Sequence, residues 1–162
     1  SCHGGGAPGR VGSEHSTWAP TADPSDAEGD PHARAYRVLF NAKSVRMGRL
    51  LGYGQKGPDG KVAEPPPHQN AKCLACHAVV DGMSQSPDAR EQVLAEGVGC
   101  GGCHGPSDKW AAAHVAPGWK TLSNEQKWKE YGFVPTKNLV ARALNCAGCH
   151  VGDGERDMNH DM

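Results

Sequence analysis

Six of the seven cysteines form three pairs with the same internal spacing, and a histidine directly follows each pair. On one helical turn, two thiols three residues apart can add to the two vinyl groups on one edge of a porphyrin. The adjacent imidazole then reaches the iron from the same side. The spacing therefore predicts three c-type haem attachment motifs: Cys73-Leu-Ala-Cys76-His77, Cys100-Gly-Gly-Cys103-His104 and Cys146-Ala-Gly-Cys149-His150.

Zinc and disulfides are the two alternative uses of paired cysteines. Two such pairs can make a Cys₄ zinc centre, but zinc gives no reason for a histidine after each second cysteine. Disulfides among tightly spaced pairs would mostly close short, strained loops. The repeated histidine therefore favours haem over both alternatives.

The seventh cysteine lies in Ser1-Cys2-His3-Gly4-Gly5, which looks like the second half of another attachment motif. A lipidated N-terminal cysteine and a free thiol are the alternatives. A free thiol beside a histidine would be prone to oxidation in the oxidising compartment where c-type haems are assembled. We therefore expect a fourth haem, held by Cys2 with His3 as its proximal ligand.

Five further histidines are candidates for the second axial position of the irons. An iron with both positions filled transfers electrons, whereas an open position can bind and transform a small molecule. His32 and His114 are the strongest candidates because alanines on the same predicted helix face let a flat ring approach. His160, His68 and His15 are weaker, since a solvent-exposed histidine is the usual case in loops and tails. We expect mostly bis-histidine haems.

The composition argues against an ordinary hydrophobic core. Leu, Val and Phe number 8, 12 and 2, and Ile is absent, so these core-building residues make up roughly 14 % of the chain, below the ~20 % at which disorder becomes the default. The net charge of −1 nevertheless lacks the repulsion of a disordered chain. Haems, as large apolar plates, would supply the missing core. A pI near 6.7 argues against nucleic-acid binding, and no apolar run is long enough to span a membrane.

Helices are expected to carry the candidate ligands, because helical spacing of apolar residues recurs and no alternating strand pattern does. The predicted helices run from Asp30 to Gly52, Ser86 to Gly97, Pro106 to Val115, Ser123 to Gly132, and Thr136 into the third motif. Residues 1–29 are predicted to wrap irregularly, and residues 53–70 to form a Gly/Pro-rich loop. The fold class is therefore mainly α with extensive coil, in a single domain spanning residues 1–162.

Five segments together resemble the multihaem cytochrome c family that includes the tetrahaem electron acceptor of hydroxylamine oxidoreductase in nitrifying bacteria. These segments are Ser1 to Gly5, Asp30 to Tyr36, Cys73 to His77, Gly97 to Pro106 and Cys146 to Gly152. The resemblance implies four haems in closely packed pairs, a mainly helical fold and a periplasmic location. It also implies that His32, His114 and His160 stand at the family's distal-ligand positions.

The function expected from these observations is electron transfer by haem c in the periplasm or outside the cell, with redox proteins as partners. No membrane span and no nucleic-acid partner are expected. One alternative is an enzyme that uses a five-coordinate haem on a small nitrogen or oxygen compound. The other is a filament subunit, in which His15 or His160 of one copy ligates a haem of the next.

Overall fold

A computed structural model describes residues 14–18, 30–79, 86–152 and 154. Within these ranges the chain is helical or irregular and has no β-strand, and one isolated antiparallel bridge joins Lys56 to Val62. This confirms the predicted fold class, mainly α with extensive coil. The α-helices are α1 (Glu14–Trp18), α2 (Ala42–Leu50), α3 (Ala71–His77), α4 (Pro87–Ala95), α5 (Cys100–His104), α6 (Ser107–Trp110), α7 (Asn124–Tyr131) and α8 (Leu139–His150). Short 3₁₀ turns lie at Pro31–Arg34, Arg37–Phe40, Pro67–Gln69, Ala113–Val115 and Pro117–Thr121.

The prediction of one continuous helix from Asp30 to Gly52 is wrong. Two 3₁₀ turns come first, and α2 begins only after Asn41, whose backbone is extended with ψ 162°. The Asn41 side chain accepts a hydrogen bond from the Ser44 backbone N–H at 2.8 Å. Asparagine competes in this way with the helical hydrogen bonds of its own backbone, so it starts a new helix instead of continuing the old one.

The predicted ends of α4 and α7 agree with the structure. The Ser123 and Gln126 side chains form a reciprocal capping box at the start of α7, and Gly132 ends it with φ 65°. The turn after α4 places Gly97 at φ 66°. Glycine adopts this left-handed conformation without the steric cost of a side chain, which is why both helices end where the sequence indicates.

Two other predicted helices differ in detail from the observed ones. The segment from Pro106 to Val115 divides into α6 and a 3₁₀ turn. The helix expected from Thr136 begins at Leu139, because the Asn138 side chain accepts hydrogen bonds from two backbone N–H groups of the first turn. Of residues 1–29, for which an irregular wrap is predicted, the structure describes only α1, and the other residues of that segment lie outside the described ranges. The single-domain organisation stays a prediction.

Within the described part of the chain, the apolar core formed by side chains is small. Its main cluster contains Leu39, Leu74, Ala78 and Leu94, with Tyr36 and Cys73 packed against it. By contrast, α8 has no buried residue. Its apolar side chains are 69–71 % exposed at Leu139, Val140 and Leu144. Since a helix is normally stabilised by burying an apolar face, α8 needs a further apolar surface to pack against.

Candidate haem-binding site

Each complete motif lies on helical backbone, as the attachment chemistry requires. The first ends α3, the second forms α5, and the third ends α8. The start of α3 is fixed by Asn70, which is 2 % exposed. Its Oδ1 accepts from the Lys72 backbone N–H at 2.9 Å, and its Nδ2 donates to Glu64 Oε2 at 3.2 Å. A buried cap with both ends bonded holds the first motif at a defined angle.

Two motif histidines bond to backbone carbonyls of distant segments. The Nδ1 of His77 lies 2.8 Å from the Ala35 carbonyl oxygen, and the Nδ1 of His104 lies 3.4 Å from that of Val134. A carbonyl oxygen can only accept, so Nδ1 carries the proton and the ring's lone pair lies on Nε2. This is the tautomer and the outer-shell contact typical of metal-bound histidine.

Aromatic rings surround the histidine of the second motif. Phe133 stacks on His104 with centroids 5.2 Å apart and planes at 15°. The Trp110 ring contacts the rings of both His104 and His114, with centroid distances of 6.2 and 5.5 Å. The Trp110 and His114 rings are therefore in contact, although the single helix predicted to carry both divides into α6 and a 3₁₀ turn. The sequence does not indicate that Phe133 stacks on His104. The only available signal is that the chain contains just two phenylalanines.

His32 faces the histidine of the third motif. The two ring centroids are 5.9 Å apart with planes at 82°, and Asp30 Oδ1 accepts from His32 Nδ1 at 2.9 Å. The His32 side chain is 46 % exposed and does not point into a buried helix face. The reason is local: His32 lies on a 3₁₀ turn, and Asp30 holds the ring toward α8.

The third motif contacts both of the others. On one side, the Asn145 Nδ2 donates to the Gly102 carbonyl inside the second motif at 3.1 Å. On the other side, the Cys149 thiol lies 4.0 Å from the Ala75 carbonyl inside the first motif. The sequence does not place the third motif relative to the others, because 42 residues separate Cys103 from Cys146. The structure brings all three motifs together.

Burial is the main cause that raises the pKa values of three motif thiols. Burial and then the neighbouring Cys76 raise the pKa of Cys149 to about 11. Burial is also the main cause of the raised pKa of Cys103, with Cys146 as the next contribution. Burial alone raises the pKa of Cys73. Without haem, these cysteines are therefore neutral thiols at pH 7.

Two of the remaining predicted histidine ligands lie beside aromatic rings. His68 stacks on Phe40 with centroids 4.4 Å apart, and His15 contacts Trp18 at 5.8 Å. Cys2, His3 and His160 lie outside the described residues.

The structure lends no support to the alternatives of zinc and disulfides. No two of the six cysteines of the complete motifs are joined by a disulfide. In the described ranges, no three His, Cys, Asp or Glu side chains are grouped to hold a metal ion. The donors present are thiol pairs on helical turns beside imidazoles with an oriented ring, and this set fits covalently attached haem.

Comparison with known proteins bears on the first two motifs. Residues 28–105 match the family described as cytochrome c554 and c-prime. The matched segment includes His32, Cys73 to His77 and Cys100 to His104, and spans just under half of the chain. Neither the curated proteins nor the solved structures gave a match. The family match supports a c-type cytochrome and haem-based electron transfer in general. No helix in the described residues is long and apolar enough to cross a membrane.

Proposed function

We propose that this protein is a multihaem electron carrier in which each complete motif holds one haem c. The observation that carries the proposal is the contact of the third motif with both others, at Asn145 to Gly102 and at Cys149 to Ala75. Covalent attachment at these places would hold three redox groups close together. Short separations between redox groups are what an electron carrier needs, and one isolated catalytic haem would not require them.

The proposed proximal ligands are His77, His104 and His150, and the geometry favours His32 as the distal ligand opposite His150. The two ring centroids are 5.9 Å apart with planes at 82°, so the rings do not pack face to face as His68 and Phe40 do. Asp30 would strengthen His32 as a ligand, because a carboxylate that accepts from Nδ1–H raises the basicity of Nε2. The remaining distal positions fall to His114, His160, His68 and His15.

Bound haem supplies one-electron oxidation and reduction at its iron. The chain's own residues anchor the ring through thioethers, orient the imidazoles through Asp30 and the carbonyls of Ala35 and Val134, and limit water access. Around His104, Trp110 and Phe133 limit the access of water. An apolar, weakly hydrated surrounding also changes a haem's potential, so this aromatic group would set the second motif apart from the others.

A fourth haem at Cys2 and His3, periplasmic or extracellular location and redox-protein partners complete the proposal. Their support is the half-motif in the sequence and the family resemblance, which implies four haems in an exported electron carrier. The family match over residues 28–105 agrees with this at the level of a c-type cytochrome.

Optical and EPR spectra during a redox titration test this function. We expect low-spin signals for most haems and no spectral change on adding nitrite, hydroxylamine or carbon monoxide. A high-spin component that shifts with one of these molecules would contradict the carrier and favour the enzyme alternative.

A further inference from the structure

One segment of the chain carries a strong local positive charge. Residues 31–58 contain six of the 17 Lys and Arg residues and none of the 18 Asp and Glu residues. The chain as a whole has a net charge of −1, so the other residues together carry −7. This segment includes α2, and the asymmetry makes the surface around α2 differ in sign from the average of the protein.

The outward side of α2 combines these cations with apolar side chains. Lys43, Arg46 and Arg49 are exposed, and none of them pairs with a carboxylate in the ranges that the structure describes. Next to them, Leu50 is 79 % exposed and Met47 is 43 % exposed. Arginine and methionine are enriched in protein interfaces, where apolar contacts supply affinity and charges supply orientation.

The opposite side of α2 is fixed to the segment that leads into the first motif. A Cβ atom on the buried Gly48 would lie 2.6 Å from the ring of Pro67, so helix and turn are in close contact. Pro67 begins the 3₁₀ turn that precedes Asn70, the buried cap of α3. The basic surface therefore rests on the elements that position Cys73, Cys76 and His77.

We propose that the exposed side of α2 (Lys43, Arg46, Met47, Arg49 and Leu50) is a docking surface for an acidic redox protein that exchanges electrons with the haem of the first motif. This inference rests on the proposed function. An acidic protein fits better than an anionic membrane surface, because interfacial helices separate apolar and basic residues onto opposite faces. On α2 both kinds of residue share the exposed side.

The test uses the haem-loaded protein and a soluble b-type cytochrome whose haem edge is surrounded by carboxylates. Its dissociation constant and its second-order rate of electron transfer are measured at low and physiological ionic strength. The double variant Lys43→Glu/Arg46→Glu is expected to lower the rate at low ionic strength at least tenfold and to weaken binding by a similar factor. The matched control Lys109→Glu/Lys120→Glu makes the same charge change at exposed sites and should alter both quantities less than twofold.

Equal losses in the two double variants would overturn the docking surface, since only net charge would then matter. A double variant that loses binding to vesicles containing phosphatidylserine, while its reaction with the cytochrome is unchanged, would also overturn it and assign the surface to a membrane. Reduction of all variants by dithionite gives a separate check. If the wild type shows no haem reduction, the proposed function fails; if it does, a negative result concerns the surface alone.

Discussion

At the scale of single residues, histidine orientation is the feature that separates a ligand from an ordinary histidine. The sequence identifies His32 as a candidate, but it does not show what the ring faces. In the structure Asp30 accepts from its Nδ1 at 2.9 Å, and His150 lies across from it. In the sequence, Asp30 marks only the start of a predicted helix. In the structure its Oδ1 also accepts from the His32 backbone N–H at 2.9 Å, so Asp30 both caps the first 3₁₀ turn and orients the His32 ring.

Removal of the His32 ring should leave one haem with an open axial position. His32→Ala is expected to convert a single low-spin haem to a high-spin one, which low-temperature EPR would count. The milder variant Asp30→Asn keeps the cap and removes the negative charge. It should therefore retain a six-coordinate iron and raise the reduction potential of one haem. Fully low-spin spectra in His32→Ala would contradict this ligand assignment.

At the scale of elements, the turn at Gly97 connects the parts that position the site. The Val98 N–H donates to the His32 carbonyl at 2.9 Å, and the Gly97 carbonyl accepts from the Val79 N–H at 3.1 Å. The helix end at Gly97 was predictable from the sequence. Its contact with His32 was not, because it joins segments more than 60 residues apart and depends on a carbonyl that every residue type has.

Alanine substitutions at Gly97 and at Gly60 distinguish the cost of left-handed backbone strain from the cost of steric overlap. A Cβ at this position would lie 2.5 Å from the His32 carbonyl oxygen, at φ +66°. Gly60 has φ +78° with no atom within 4 Å, so Gly60→Ala should cost only the left-handed strain of roughly 1–2 kcal/mol. Gly97→Ala should cost about 1–3 kcal/mol more from steric overlap. Equal denaturation midpoints for the two variants would show that the Gly97 contact does not matter.

The cap of α3 offers a second test at this scale. Asn70→Ala removes a buried cap and its bond to Glu64, whereas Asn41→Ala removes an exposed cap of α2. We expect a loss of about 2 kcal/mol for Asn70→Ala and about 1 kcal/mol for Asn41→Ala, measured by chemical denaturation. A smaller loss at Asn70 than at Asn41 would argue against a fixed first motif.

At the scale of the whole molecule, the fold class was predictable and the arrangement of the motifs was not. Capping residues such as Ser123 and Gly132 act locally, so the sequence reveals them. The approach of Cys149 to Ala75 spans 74 residues of chain and has no local signal. The prediction of a continuous helix after Asp30 is wrong for the opposite reason. The apolar periodicity continues across Asn41, but the local cap formed by Asn41 starts a new helix there.

Because the side-chain core of the described residues is small, we expect the fold to depend on haem. A variant with serine at all six cysteines of the complete motifs should lose the cooperative thermal transition followed by far-UV circular dichroism. The physical reason is that α8 has no buried residue in the protein chain alone. The control Cys146→Ser/Cys149→Ser should retain a transition at lower temperature. A six-serine variant that melts like the wild type would contradict a haem core.

The most direct test of the central claim is the intact mass of the denatured protein, because covalent haem survives denaturation and adds whole-haem increments. The account predicts one increment for each complete motif, at Cys73/Cys76, Cys100/Cys103 and Cys146/Cys149, and a fourth that disappears in Cys2→Ser. Three increments in the unaltered chain would remove the haem proposed at Cys2. The absence of any increment would contradict the electron-carrier account, and zinc binding would then be the better explanation of the cysteine pairs.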